Sequence, residues 1–441
     1  MRRLGLPLAA LCLVTTAATG ATALTSATAS PGSGHGHGGG HGSPGSHLTE
    51  PQLAGWAVLG ADTFVPGSEK SGYFTGSAAA PYPGQPVQGF SAVHREADGS
   101  YLAMSDNGFG TKTNSQDFQL RVHHIKPDTR RGTIAVKGGF TLTDPYHRVA
   151  ATTWRDGGCQ AAATQAPLPA GYTCPPRDRV LTGWDFDVES MQVAPDGTVW
   201  FGEEFGPYLL HTDARGRLLE APIPTPGVKS PSNPTLLPGE QPNLANSKGF
   251  EGMAITPDGR GLRAMLEGPV AGDPATDLRV YDVRLGDRRS PTFFTGDHDV
   301  YRLESPSNAI GDHIAVNRHQ FLTIERDNGS GQTAAFKRIY LVDDRDRDRD
   351  GRLDKTLLVD LMDLDNPRRL GGATAGTDPF TFPYVTIEDV ELVDADTIAV
   401  LNDNNYPGTG GRGAGVKDVD EYLEIDLPRR LDVDRRLLAH R

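Results

Sequence analysis

Acidic and amide side chains recur at matching places in five stretches of this 441-residue chain. The stretches are 89–108, 187–206, 249–269, 311–331 and 386–405. In each of them an alternating apolar run leads into a tight turn, and a second apolar run then ends in polar residues. The acids at these ends are Asp106, Glu204, Glu267, Glu325 and Asp403. Carboxylates are the ligands that hard divalent cations such as calcium prefer, so the recurrence indicates a metal centre built from several repeats.

These acids must be positioned by a fold that brings the repeats together. Two alternating runs joined by a tight turn are typical of a β-hairpin, and one hairpin cannot bury its own apolar face. Hairpins repeated along a chain predict an all-β fold, a β-propeller, for which we expect six blades with seven as the alternative. The widest interval, between Asp106 and Glu204, has room for a degenerate blade or a long insertion.

Equivalent strand ends of a propeller lie on one face, around the mouth of the central channel. We therefore expect the five acids to meet there, together with a second row at the start of the preceding strands, Glu189, Glu251 and Glu388. Gathered carboxylates repel one another unless a cation holds them. Histidines do not recur at matching positions, which favours calcium over zinc. The alternative for any single residue is that Asp or Asn only forms a turn.

A second candidate calcium site is the segment DDRDRDRDGRLD at 343–354. Its alternating acids Asp346, Asp348 and Asp350 precede Gly351, and Asp354 follows at the spacing of a ninth ligand in a calcium loop. The segment departs from an EF-hand because Leu357 stands where the bidentate glutamate would be. Interleaved arginines leave the alternative of a solvated charge run.

The amino terminus reads as targeting sequence followed by a linker. Residues 1–29 combine two arginines, an apolar stretch and small residues, which predicts a secretory signal peptide. Residues 30–52 are rich in Gly, His and Ser and predict a flexible linker. The remaining 53–441 is expected to be the propeller domain, exported and without a membrane span.

Charge and cysteine content narrow the class of protein further. The formal net charge is −13, so the basic surface of a nucleic-acid-binding protein is missing. Cys159 and Cys174 are the only cysteines after the signal peptide, and in an oxidising compartment they are expected to form a disulfide. They lie in a loop-like segment, 151–180, that we interpret as an insertion between blades.

Four long motifs resemble a known family: DFDVESMQVAPDGTVWFGEEFGPYLLHTDARGRLL, NSKGFEGMAITPDG, LTIERDNGSG and TIEDVELVDADTIAVLNDNN. They resemble the secreted bacterial family described as having esterase-like activity of phytase, over roughly 53–427. That family is similar in architecture to calcium-dependent propeller phytases, so the resemblance implies phosphoester hydrolysis. The acid-rich positions it matches are Asp106, Asn107, Glu189, Glu203, Glu204, Glu251, Glu267, Glu325, Asp327, Glu388 and Asp403.

The expected mechanism needs no covalent intermediate. Calcium would neutralise a phosphate ester and activate water, with Glu251 or Glu203 as the general base. Lys248 and Arg326 stand beside the acids and would stabilise charge on the phosphoryl oxygens. The chain has no G-x-S-x-G pattern, so a serine esterase has no support. We expect a monomer acting on a small-molecule phosphoester.

Two other functions fit the same pattern. A calcium-dependent lactonase or esterase would also use acids at a propeller mouth, although it needs fewer of them and no nearby cation. A non-enzymatic binding propeller of the cell envelope would use aromatic residues on its loops. Phe109, Phe205, Tyr208 and Tyr406, which follow the acidic ends, keep that alternative open.

Overall fold

The five repeated stretches form hairpins, and each hairpin is the inner strand pair of a four-stranded unit. The computed structural model describes residues 48–160, 167–287 and 290–438. Its regular structure is almost entirely β-strand, apart from the single-turn helix α1 (Gly372–Ala375) and one 3-10 turn at Gly331–Thr333. The prediction of an all-β fold is confirmed.

The strands are numbered along the chain from β1 (Gln52–Leu59). Blade 1 contains β2 (Phe90–Arg95), β3 (Tyr101–Ser105), β4 (Arg121–Asp128) and β5 (Thr133–Thr141). Blade 2 contains β6 (Val188–Val193), β7 (Val199–Glu203), β8 (Tyr208–Thr212) and β9 (Ile223–Pro224). Blade 3 contains β10 (Phe250–Ile255), β11 (Gly261–Leu266), β12 (Asp277–Arg284) and β13 (Phe293–Arg302). Blade 4 contains β14 (Ala309–Ala315), β15 (Gln320–Arg326), β16 (Lys337–Asp343) and β17 (Asp354–Asp360), and blade 5 contains β18 (Thr386–Leu392), β19 (Thr397–Asp403), β20 (Asp420–Asp426) and β1.

The first strand closes the ring of blades. β1 runs antiparallel to β20, from Gln52 opposite Asp426 to Leu59 opposite Asp420, and so supplies the outermost strand of blade 5. The inner strands β2, β6, β10, β14 and β18 each contact the next in this order, and β18 contacts β2. Four-stranded antiparallel sheets arranged in a closed ring make a β-propeller.

Five blades are formed by the described residues, whereas six were expected. The wide interval between Asp106 and Glu204 holds the two outer strands of blade 1 and a long connection to blade 2. No further sheet is present in that interval among the residues described, so the insertion alternative accounts for its length. Each repeated hairpin thus corresponds to one blade.

The core lies between neighbouring blades. Leu102, Met104 and Val122 of blade 1 pack with Phe201 and Leu210 of blade 2, and all five are buried. Both faces of an inner strand are covered in this arrangement, because each sheet lies between two others. Burial of one such large apolar side chain contributes about 1.5–3 kcal/mol, so the blades are held together mainly by their apolar faces.

The described residues of 151–180, which we interpreted as an insertion, lie in the connection between blades 1 and 2. Its two cysteines, Cys159 and Cys174, form a disulfide, which confirms the pairing expected from the sequence. The insertion packs inward through Trp154, whose ring centroid lies 5.6 Å from that of Trp184. Residues 161–166 lie outside the part of the chain that is described.

The amino-terminal segments expected from the sequence lie mostly outside the described residues. Residues 1–47, which include the expected signal peptide and most of the expected linker, are among those not described. The first strand begins at Gln52, beside the domain boundary expected at 53. No helix in the described ranges is long and apolar enough to cross a membrane.

Candidate metal centre at the channel mouth

One residue of each inner strand is left unpaired with the neighbouring strand, at the same place in all five blades. The register between the first and second strands of every blade shifts by one residue there. An extra residue of this kind forms a β-bulge, which bends the strand and re-aims a side chain. The bulged residues are Ser91, Glu189, Glu251, Gly311 and Glu388.

The second row of mouth residues follows from the same register. In each blade, the residue just before the bulge pairs with one residue of the second strand. The residue that follows this partner belongs to the second row, which consists of Asp106, Glu204, Glu267, Arg326 and Asp403. Glu325 was expected in this row, but it pairs with Ile310 and is one place earlier. In blade 4 an arginine therefore takes the position that carries a carboxylate in the other four blades.

Blades 2 and 3 bring five carboxylates together in two groups that share one member. In the first carboxylate group, oxygens of Asp187, Glu189 and Glu204 all lie within 4.8 Å of one another. In the second carboxylate group the same holds for Glu204, Glu251 and Glu267. Glu204 is held in place by the backbone N–H of Gly249, which donates to its Oε1 at 2.8 Å. Each group offers only oxygen ligands, which is the donor set of a hard divalent cation.

Close packing of backbone makes these positions possible. Gly249 has no side chain, and a Cβ at this position would lie 2.4 Å from the Cα of Glu204. Gly311, the bulged residue of blade 4, lies so close to β18 that a Cβ would meet the carbonyl oxygen of Ile387 at 1.9 Å. Glycine is required at both places because any larger residue would separate the strands.

Blades 5 and 1 contribute a third set of acids on the other side of the channel. Ser91 donates to Glu388 Oε2 at 3.1 Å, and the backbone N–H of Asn405 donates to Asp403 Oδ1 at 2.6 Å. Asp106 accepts a hydrogen bond from the N–H of Gly108 at 2.8 Å. Burial, and then repulsion by Asp403, raises the pKa values of Asp106 and Glu388.

The negative charges of the mouth acids are buried and repel one another, and the neighbouring cations neutralise only part of them. Burial is the main cause that raises the pKa of Glu388 to about 8 and that of Asp403 to about 6. Burial, and then repulsion by neighbouring acids, holds the pKa values of Glu189, Glu204 and Glu251 well above their ordinary values. A divalent cation bound to the two carboxylate groups would remove this repulsion. The residues present therefore fit a hard metal ion.

The two cations expected beside the acids are both engaged by them. Arg326 Nη2 lies 3.1 Å from Glu388 and 3.5 Å from both Glu251 and Glu267. Burial alone would lower the pKa of Arg326, but these carboxylates raise it above its ordinary value. Lys248 forms an ion pair with Glu267. Both cations thus neutralise part of the second carboxylate group.

Comparison with known proteins gives the family. The family model described as phytase-like, esterase-like activity of phytase, matches residues 85–406, which includes all five inner hairpins. The chain belongs to this phytase-like family. Its membership supports a hydrolase that acts on esters, and the resemblance inferred from the four sequence motifs is confirmed.

This phytase-like protein also shows weaker similarities to one curated protein and to solved structures. An uncharacterized secreted protein of Arthroderma benhamiae is 26% identical over 104 residues, and the match spans 20% of each chain. A PQQ-bound aldose sugar dehydrogenase from Streptomyces coelicolor is 11% identical, with 86% of this chain and 99% of that chain covered and a TM-score of 0.35. The periplasmic gluconolactonase of Pseudomonas aeruginosa is 12% identical, with 78% and 73% covered and a TM-score of 0.30.

Several residues that the sequence pointed to hold the loops of this phytase-like protein. Both carboxylate oxygens of Glu203 accept backbone N–H groups, from Phe205 at 2.8 Å and Gly206 at 2.6 Å. Asn107 Oδ1 accepts the N–H of Gly110 at 2.9 Å. Asp327 forms an ion pair with the fully buried Lys337 at 2.9 Å. These three side chains fix the turns that carry the mouth residues.

Glu325 is also turned away from the two carboxylate groups. Its oxygens accept hydrogen bonds from the Tyr301 hydroxyl at 2.9 Å, the Glu304 N–H at 2.7 Å and the Asn308 amide at 2.8 Å. Lys355 Nζ lies 2.8 Å from its second oxygen. Glu325 is thus a satisfied buried acid among the outer strands of blades 3 and 4, and the expectation that placed it with the mouth acids is corrected.

Asp187 is a mouth residue that sequence reasoning missed. It stands directly before β6, two residues ahead of the bulged Glu189, and burial raises its pKa. The equivalent places in blades 1 and 3 are the glycines Gly89 and Gly249. In blades 4 and 5 the same place carries Ala309 and Thr386, so the available signal was an acid in blade 2 where none of the other repeats has one.

The acidic loop between β16 and β17 brings together part of the expected set. Oxygens of Asp346, Asp348 and Asp354 all lie within 4.8 Å of one another. Asp350 is outside this group, since its Oδ1 accepts the N–H of Arg352 at 2.9 Å and its Oδ2 lies 3.6 Å from Arg302. Calcium binding at this loop stays a prediction.

Proposed function

We propose that this protein is a calcium-dependent hydrolase of small-molecule phosphate esters, with its active site at the channel mouth. The observation that carries the proposal is the pair of carboxylate groups that share Glu204, each with three carboxylates within 4.8 Å. Membership of the phytase-like family supports ester hydrolysis. The number of acids supports an anionic substrate whose charge metal ions would neutralise.

Metal would be held by Asp187, Glu189 and Glu204 in the first carboxylate group, and by Glu204 and Glu267 in the second, whose third member Glu251 has another role. When bound, calcium would supply charge neutralisation for the phosphoryl oxygens and lower the pKa of the attacking water. Asp106, Asp403 and Glu388 would complete the acidic lining from the other side. Sharing of Glu204 makes the two sites interdependent.

Glu251 is the general base in this proposal. Both oxygens of Glu203 accept backbone N–H groups of the turn that follows it, which favours a role in holding that turn. Glu251 is a bulged residue at the mouth, with Arg326 at 3.5 Å on one side. Glu251 would accept the proton of the attacking water, and Arg326 would keep Glu267 and Glu388 oriented while this happens.

We also propose that the protein acts outside the cytoplasm, as a monomer. The disulfide between Cys159 and Cys174 supports an oxidising compartment. The expected signal peptide at 1–29 agrees with it, and calcium is abundant outside cells.

The test is the release of inorganic phosphate from phytate and from simple phosphomonoesters and diesters, with and without added calcium. We expect calcium-dependent release from the parent protein. Glu251→Gln keeps the shape of the side chain but removes the proton acceptor, so turnover should fall by about 100-fold or more. Glu50→Gln, at an exposed position before β1, serves as the matched control and should behave as the parent.

Two outcomes would contradict the proposal. Phosphate release that is equal in calcium and in a chelator would remove the metal from the reaction. Parent-like turnover by Glu251→Gln, with an unchanged melting temperature, would move the base away from the mouth.

A further inference from the structure

Lys112 is a cation beside the mouth that the sequence did not single out. It lies on the loop between β3 and β4, and its Nζ stands 5.0 Å from the ring centroid of Trp184 and 4.8 Å from that of Phe205. Its side chain is half-buried. Ammonium groups are attracted to the faces of aromatic rings at such distances, so the two rings hold Lys112 in one place.

The loop that carries Lys112 is fixed against the segment that carries Trp184. A Cβ at Gly183 would lie 1.9 Å from the carbonyl oxygen of Asn107, so the two segments touch through their backbones. Asn114 donates to the carbonyl of Phe109 at 2.6 Å and closes the loop. The position of Lys112 therefore follows from packing and does not depend on a flexible surface chain.

The ammonium of Lys112 has no hydrogen-bond or ion-pair partner among the described residues. Burial lowers its pKa, while the charges of Asp185, Glu203 and Asp187 act in the opposite direction. Asp185 accepts the N–H groups of Trp154 at 2.8 Å and Thr182 at 2.9 Å, and Glu203 is likewise occupied by backbone donors. The N–H donors of Lys112 are left for a ligand.

Lys112 differs in this respect from the two cations expected at the site. Arg326 and Lys248 are both paired with carboxylates of the second carboxylate group. Lys112 instead lies within electrostatic reach of Asp187, a member of the first carboxylate group, without forming an ion pair with it. A held, half-buried cation with free donors next to a metal-binding group matches what an anionic substrate requires.

We propose that Lys112, with Trp184 and Phe205 as its walls, forms the subsite that takes a phosphoryl oxygen of the substrate. This inference rests on the proposed function and names the substrate class more narrowly, as an ester that presents an anionic oxygen to Lys112. The two rings supply a flat apolar boundary, and the ammonium donates to the oxygen. A neutral ester or lactone presents no anionic oxygen to this subsite and gains less from it.

The experiment measures binding of inorganic phosphate by titration calorimetry, in the presence of calcium, for the parent and three variants. Lys112→Met should weaken binding about 10- to 100-fold, the size expected for a lost hydrogen bond between charged groups. Lys112→Arg keeps the charge and should retain part of the affinity. Lys137→Met, at an exposed position on β5, is the matched control and should bind as the parent.

Calcium binding by the same variants separates this role from damage to the fold. Removal of a positive charge beside the first carboxylate group should leave calcium affinity unchanged or higher. Lys112→Met that loses both calcium and phosphate binding would overturn the subsite. Parent-like phosphate binding by Lys112→Met would also overturn it while the proposed function stands. A parent protein that binds calcium but neither binds phosphate nor hydrolyses its esters would overturn both.

Discussion

At the scale of single residues, the mouth is an incomplete ring of acids. Four blades place a carboxylate directly after the residue that pairs with the one before the bulge, and blade 4 places Arg326 there. This arginine contacts acids from blades 3 and 5, so it lowers the charge on one side of the channel. The two carboxylate groups in blades 2 and 3 share Glu204, which is the residue where both potential metal sites meet.

The raised pKa values predict how pH and metal act together on stability. The pKa of Glu388 rises from its ordinary 4.5 to about 8 in the folded protein, chiefly because it is buried. Between these values the folded chain binds more protons than the unfolded chain, so without metal the free energy of unfolding should fall as pH rises from about 5 to 8.

Calcium should reverse this loss, because a cation compensates the ionised acids. We expect the calcium-induced increase in melting temperature to be larger at pH 8 than at pH 5, measured by thermal unfolding in calcium and in chelator. Glu204→Gln should reduce the increase at pH 8 more than Glu50→Gln does. An increase that is the same at both pH values would mean that the mouth acids are not the groups that bind calcium.

The sequence revealed those candidate residues that recur in the repeats. It did not reveal the residues that occur in only one blade or loop. Glu189, Glu251 and Glu388 repeat at one place in the motif, and the structure brings them to the same bulge. Glu325 was misplaced because the acid of blade 4 stands one residue before the equivalent position, which Arg326 takes, and recurrence of acids does not reveal this offset. Lys112 lies in an unrepeated loop, and its environment depends on Trp184, far along the chain.

At the scale of elements, the acidic loop between β16 and β17 provides an internal comparison. Asp346→Asn, Asp348→Asn and Asp354→Asn together should reduce protection by calcium against protease, because these three carboxylates converge. Asp350→Asn should have a smaller effect, since Asp350 faces Arg302 and Arg352. Protease digestion with and without calcium gives the measurement. Equal protection of the triple variant and the parent would identify the segment as a charge run.

The disulfide of the insertion gives a prediction about stability alone. Cys159 and Cys174 are 15 residues apart, and closing a loop of this length stabilises by about 3 kcal/mol in the chain-entropy model. Cys159→Ser should therefore lower the melting temperature, while activity per folded molecule should remain, because neither cysteine is a mouth residue. Loss of phosphate release in protein that is still fully folded would show that the insertion has a further role.

The hairpins were predictable from the sequence, and the number of blades was not. Each hairpin carries its own signal, an alternating run and a tight turn, and all five were found. The extra blade was inferred from the interval between Asp106 and Glu204, where length alone cannot distinguish strands from an insertion. Loop-like composition and the cysteine pair at 151–180 were the evidence for the insertion.

At the scale of the whole molecule, the fold depends on the pairing of its first and last strands. A chain that begins at Gly60 lacks β1, whose Leu53 and Ala57 are fully buried. We expect this shortened chain to lose the single cooperative unfolding transition that the parent shows at its melting temperature. A chain that begins at Leu48 retains β1 and is the control. Thermal unfolding followed by circular dichroism compares the two. Equal melting temperatures would mean that β1 is dispensable.

The place of this closing pair also determines which part of the ring can open on its own. β1 pairs with β20 along its length and with β5 only at Val58 opposite Thr133, so detachment of β1 is one local opening available to the ring. Such an opening would loosen blade 5 and with it Glu388 and Asp403. Blades 2 and 3, which hold both carboxylate groups, are separated from blade 5 in the ring by blade 1 on one side and blade 4 on the other. A transient breach at the chain ends would therefore leave the metal-binding side of the ring assembled.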